Sequence, residues 1–117
     1  MRIIVTLAVD VVLTIVFAAI GRISHGEDAF LPGLVRTAWP FVVAAVVGSL
    51  LASWLGGGSW WLSGLIVWLV TAAGGIGLRL LAGDTAKGAF ALVTAITLAI
   101  LLIGWRALAR GWLETGH

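Results

Sequence analysis

No cysteine occurs among the 117 residues, so a disulfide framework, a thiolate metal site and a cysteine nucleophile are all excluded. Charge is scarce too. Only 10% of residues are Asp, Glu, Lys or Arg, against roughly 25% in an ordinary soluble domain. That leaves too little polar surface to cover a water-soluble globule. The net charge is +2, yet the seven cations are scattered singly along the chain, so the basic stripe of a nucleic-acid-binding surface is missing. Metal-ligand spacing is absent as well: His25 has no second histidine or carboxylate placed to share an ion. No serine–histidine–acid arrangement is visible, no cofactor fingerprint is present, and "GGIGLR" has neither the spacing nor the strand context of a dinucleotide site. Strict alternation of polar and apolar residues, the mark of a barrel strand, does not occur either.

What the chain has in abundance is apolar sequence, 62% of its residues. It falls into four runs, at residues 3–20, 37–55, 60–81 and 89–105. Each approaches the about 20 residues that a helix needs to cross about 30 Å of hydrocarbon. Since a backbone in lipid must satisfy its own hydrogen bonds, each run is expected to be a helix. The expected fold is therefore all-α: one domain, a four-transmembrane-helix bundle with antiparallel up-down order. The first run is too long for a signal peptide and lacks a clean cleavage site, so it is expected to remain as a helix.

The connections differ in character. Residues 21–36 form the longest and most charged one, 56–59 ("GGGS") a tight turn, and 82–88 ("AGDTAKG") a short loop whose Asp84 is suited to cap the fourth helix. Residues 106–117 read as a polar tail outside the membrane. Pro40 is expected in the first turn of helix two, where its missing N–H is harmless. Ala44, Gly48 and Ala52 in helix two, and the glycines of "GGIGLR", read as small residues that let helices approach closely. Of seven tryptophans, Trp39, Trp54, Trp60, Trp61, Trp105 and Trp112 fall near run ends, as an interfacial belt would. Trp68 lies mid-run and reads as core packing. With four spans both termini share a side. Arg2, Arg106 and Arg110 mark it, against Arg22, Arg36, Arg79 and Lys87 on the other, so the positive-inside rule is near balance; cytoplasmic termini are taken as the expectation.

Asp10 breaks the first apolar run. A charge at such depth is expensive and faces the bundle interior, pairs, or lines a cavity. Thr6 and Thr14 lie four residues on either side of it, one turn away on the same helix face. Two roles follow. Asp10 is a protonation site in a polar stripe, or it is a clamp on a cation, for which Arg106 is the first candidate and Arg2 the second. The stripe of threonines, which a clamp does not require, favours the protonation site. A second cluster gathers at the other end: Arg22, Ser24, His25, Glu27, Asp28, Arg36 and Arg79. Arg22, His25 and Arg79 are suited to an anion or a lipid headgroup, while Arg22 and Arg36 are equally readable as cations snorkelling to the interface. Arg79 is expected to face inward and join Arg22 and His25.

The stretches "DVVLTIVFAAIGRISHGE", "TAWPF", "GLRLLAGDTAKGAF" and "IGWRAL", in that order, resemble domain-of-unknown-function family 3054, a group of small four-helix membrane proteins of bacteria and archaea. The resemblance covers most of the chain and rests on Asp10, Gly21, Arg22, His25, Pro40, Phe41, Arg79, Trp105 and Arg106. It implies four spans and a bacterial inner membrane, and it implies no activity. From the residues, the first functional expectation is transport of a small solute or ion by a homo-oligomer, proton-linked through Asp10. In size and in its helix-one acid the chain is similar to small multidrug resistance transporters. Its aspartate, long first loop and arginines depart from them and suit an anion or weak acid better. The alternative is a non-catalytic accessory or structural subunit that binds lipid or a larger membrane complex. An enzyme is not expected.

Overall fold

A computed structural model describes residues 2–24, 31–55, 59–81 and 88–109 of the chain. Every regular element among them is helical. Helix α1 spans Arg2–Ser24, α2 Leu31–Leu55 and α3 Trp60–Leu81. The fourth apolar stretch begins as α4 (Gly88–Leu98), opens into a π-helical turn (Ala99–Ile103) and closes as α5 (Gly104–Leu108). Four stretches, Ile3–Ile23, Pro32–Leu55, Trp60–Leu81 and Ala91–Leu108, are long and apolar enough to cross a membrane.

Two helices run past the ends of their apolar runs. Helix α1 continues to Ser24 rather than stopping near residue 20, and α2 starts at Leu31 rather than near 37. The hydrocarbon edge limits hydropathy, not backbone geometry, and nothing in "GRIS" breaks a helix. Pro32, not Pro40, is therefore the first-turn proline, where the missing N–H has no intrahelical acceptor to lose. Pro40 lies inside α2 and is buried. Its ring there removes the bond that a residue in this position would donate to the Arg36 carbonyl.

The most extensive helix contact is that of α2 with α3, and small residues explain it. A Cβ added to Gly74 would lie 3.1 Å from the Ala44 methyl, and one on Gly48 would lie 3.3 Å from the Val67 backbone. At Gly75 an added Cβ would run into the Phe41 ring. Phe41 in turn meets Phe17 of α1 edge to face, centroids 5.3 Å apart at 68°, a preferred aromatic geometry. Phe17, Ala18, Ala38, Phe41, Val67, Leu98 and Leu102 form the buried apolar core.

The outer surface is as apolar as the core. Ile4, Val12 and Ile20 on α1, Val43 and Val47 on α2, Leu69 on α3, and Leu92, Ile96 and Ile100 on the fourth stretch are all exposed. Several polar side chains go inward instead. Asp10, Thr14, Ser49, Thr71, Thr94 and Arg106 are buried.

Candidate functional site

Asp10 sits in the third turn of α1 with none of its surface exposed, and Arg106 of α5 is 1% exposed. They face each other as a two-pronged pair. Arg106 Nη1 donates to Asp10 Oδ1 at 2.6 Å, and Nη2 donates to Oδ2 at 2.7 Å. Two further donors complete the carboxylate. Ser49 Oγ of α2 donates to Oδ2 at 2.6 Å, and Trp105 Nε1 donates to Oδ1 at 2.9 Å. An ionised carboxylate offers about four lone-pair directions. Here each oxygen accepts two bonds, so no direction is left over, and the arrangement is complementary to the charged form.

The guanidinium is held equally firmly. Besides its two carboxylate bonds, Nη1 donates to the Leu102 carbonyl at 3.1 Å. The guanidinium carbon lies 4.9 Å from the Trp105 ring centroid, in cation–π range. The aliphatic stem crosses α3 at Gly64, where an added Cβ would lie 3.3 Å from Arg106 Cδ and 3.4 Å from Ile103 Cα. Glycine is what lets an arginine lie between two helix backbones here.

The π-helical turn aims the arginine. Thr94, Leu98, Leu102 and Arg106 are all buried and recur every four residues. An α-helix advances about 100° per residue, so a four-residue repeat drifts about 40° at each step and Arg106 would end about 120° away from the Thr94 line. The i→i+5 turn at Ala99–Ile103 underwinds the helix and takes up part of that drift. Side-chain donors reach two carbonyls of this stretch: Trp68 Nε1 to Ala95, one turn before the widened turn, at 2.8 Å, and Arg106 to Leu102, within it.

Several expected assignments change. Arg106 is a buried helix residue, not the start of a polar tail, because its charge is matched within the bundle. Trp105 spends its indole N–H on Asp10 instead of serving only as a belt residue. Thr14 turns its hydroxyl to the backbone carbonyl of Asp10 at 2.7 Å, not to the carboxylate. Thr6 is half-buried one turn earlier. Trp68 keeps its expected role: half-buried, it packs against the core and is tied to α4 by its bond to Ala95.

The remaining candidates belong to the far end of the molecule. Arg22 Nη1 donates to Thr37 Oγ1 at 2.8 Å, and its guanidinium lies over Gly33, where a Cβ would intrude. Arg22 is twelve residues beyond Asp10, about 18 Å along the helix. Arg79 is half-buried in the last turn of α3. Gly75, one turn before it, touches Phe41, which touches Phe17, five residues before Arg22. Arg22 and Arg79 thus share an end, remote from the Asp10 pair. His25, Glu27, Asp28, Asp84, Lys87 and Trp112 lie outside the described residues, as does the side chain of Arg2.

Ser49 and Thr37 were not singled out from the sequence. Ser49 stands between Gly48 and Ala52 on the small-residue face of α2, and there it reads as one more packing residue. Its spacing of one turn from Ala45 and Ala52 was the available signal.

The molecule is thus a protein of four long apolar helices whose first and last are joined by a buried ion pair with a fully hydrogen-bonded carboxylate. The chain belongs to the family described as Protein of unknown function (DUF3054), whose model matches residues 7–109. Asp10, Ser49, Trp105 and Arg106 all fall within the match. Neither the curated proteins nor the solved structures contain a match to this chain.

Proposed function

We propose that the chain is an integral membrane protein of four antiparallel spans and that it acts without catalysis, as an accessory or structural subunit held in shape by the Asp10–Arg106 lock. Bilayer insertion is supported by the reversed polarity, with branched apolar side chains outside and, among the described residues, six polar ones buried inside. Antiparallel order is supported by the contact sequence. Along α1, Asp10, Phe17 and Arg22 meet Ser49, Phe41 and Thr37 of α2, so one number rises as the other falls. Residues Gly48, Gly74 and Gly75 continue that relation between α2 and α3.

The observation that carries the accessory reading is the saturated carboxylate. A proton carrier must present its acid to solvent or solute at some point of its cycle. Asp10 is enclosed, accepts four hydrogen bonds and is bound to a cation. With both oxygens filled and turned to neighbouring helices, it serves as a fixed joint between the first and last helices. In this reading the partners are bilayer lipid, a second copy of the chain or a larger membrane complex, in the plasma membrane with cytoplasmic termini.

A transport role is favoured by one feature, the π-helical turn directly before Arg106, because such turns recur at functional sites. The two readings separate in proteoliposomes containing a trapped pH-sensitive dye. When weak acids and inorganic anions are offered in gradients, the accessory reading expects proton movement equal to that of empty vesicles. Proton-linked uptake that disappears in a folded Asp10→Asn protein would overturn it and restore the transporter.

A further inference from the structure

Thr71 and Thr94 are buried, 0% and 1% exposed, and neither hydroxyl has a hydrogen-bond partner among the described residues. In an apolar interior a threonine normally discharges its hydroxyl on the carbonyl four residues back, as Thr14 does on Asp10 in this same protein. Thr71 and Thr94 do not. The register of α3 against the fourth apolar stretch brings both to that contact. Gly64 meets Ile103 and Arg106, and Trp68 meets Ala95, so numbers fall along the fourth stretch as they rise along α3. Thr71, one turn after Trp68, and Thr94, next to Ala95, continue that series.

We propose that Thr71 and Thr94 form a second buried polar site, which holds one water molecule bridging the two hydroxyls. Leaving a hydroxyl unmatched in an apolar interior is unfavourable, and two on one helix contact have a common solution in a shared third molecule. A buried water is stable when it finds about two to four polar partners, and two threonine hydroxyls, each both donor and acceptor, meet that minimum. The site selects a small neutral molecule. The buried charges of this interior, Asp10 and Arg106, are committed to each other, so they offer an ion no compensating charge. It is also distinct from the lock, whose carboxylate oxygens each already accept two bonds.

The test uses the full chain in lipid nanodiscs with ¹³C-labelled threonine methyl groups, measuring magnetisation transfer from water to each methyl. Cross-peaks to water are expected at both Thr71 and Thr94. Thr71→Val should remove the Thr94 peak, Thr94→Val should remove the Thr71 peak, and Thr71→Ser, which keeps the hydroxyl, should leave the Thr94 peak in place. The Trp68 indole N–H resonance reports that each variant retains the α3–α4 contact. Absence of both peaks in the wild-type protein would overturn the proposal, whether or not the variants fold. So would a Thr94 peak that survives Thr71→Val, since that hydroxyl would then be exchanging with water by itself.

Discussion

Replacing Asp10 by asparagine changes little in volume and much in the lock. Asparagine keeps one acceptor oxygen, while its amide nitrogen becomes a donor. Whichever way the amide is turned, one pair of donors loses its acceptor: Ser49 Oγ with Arg106 Nη2, or Trp105 Nε1 with Arg106 Nη1. The larger effect is electrostatic. Arg106 is 1% exposed and cannot swing to water without leaving its place against Gly64, so its charge stays buried without a counterion. Removing one member of a buried pair costs about 3 to 5 kcal/mol, a shift of more than about a hundredfold in the folding equilibrium. Unfolding of the purified protein by heat or by denaturing detergent in mixed micelles, followed by circular dichroism, measures it. A companion variant sharpens the reasoning. In Asp10→Asn with Arg106→Gln both charges are gone, so the double variant should recover much of the loss, because the penalty comes from the orphaned charge more than from the missing bond. If Asp10→Asn alone unfolds within about 0.5 kcal/mol of wild type, as an exposed substitution would, the lock is not structural and the protonation-site reading of Asp10 regains its footing.

Ser49→Ala and Trp105→Phe each remove one donor from the charged carboxylate, and each should cost about 1.5 to 3 kcal/mol in the same unfolding assay; no change in either would mean that the pair needs only its arginine. Gly64→Val puts methyls where the Arg106 stem and the Ile103 backbone lie, and overpacking of this kind should cost about 1 to 3 kcal/mol, with Gly64→Ala milder. Gly75→Ala collides with the Phe41 ring and should destabilise. Phe41→Leu in the Gly75→Ala background should return part of the stability, and additive losses would show that the two residues are not in contact. Accessibility of introduced cysteines at Ser59 and Ala109 to an impermeant reagent in oriented vesicles should be the same, and opposite labelling would remove one span from the proposed topology.

The helical class and the number of apolar helices were legible in the sequence, since apolar runs of spanning length with few charges leave the backbone little choice but the helix. Asp10 was legible as an inward residue for the same reason: a lone acid in an apolar run has nowhere else to go. Arg106 could be named as its first candidate partner by counting which helix ends share a side. Hydropathy said nothing about where the helices end, because a backbone continues through Ser24, and resumes by Leu31, regardless of where apolar side chains stop. Nor could it distinguish a belt tryptophan from Trp105, or a packing serine from Ser49, since their roles depend on a neighbour contributed by another helix. Thr14 shows the same limit in reverse. Spacing put it on Asp10's face, and only the packed structure decided that its hydroxyl turns to the backbone while Ser49 takes the carboxylate. The widened turn at Ala99–Ile103 belongs to that second category too. No residue in "AILLI" demands it locally; the requirement that Leu98, Leu102 and Arg106 all face inward arises only once α1 and α3 are in place, and an underwound turn brings a four-residue repeat closer to one line. Local composition determines which segments are helices and which residues must hide, whereas the choice of partner for each hidden polar atom is a property of the assembled interior.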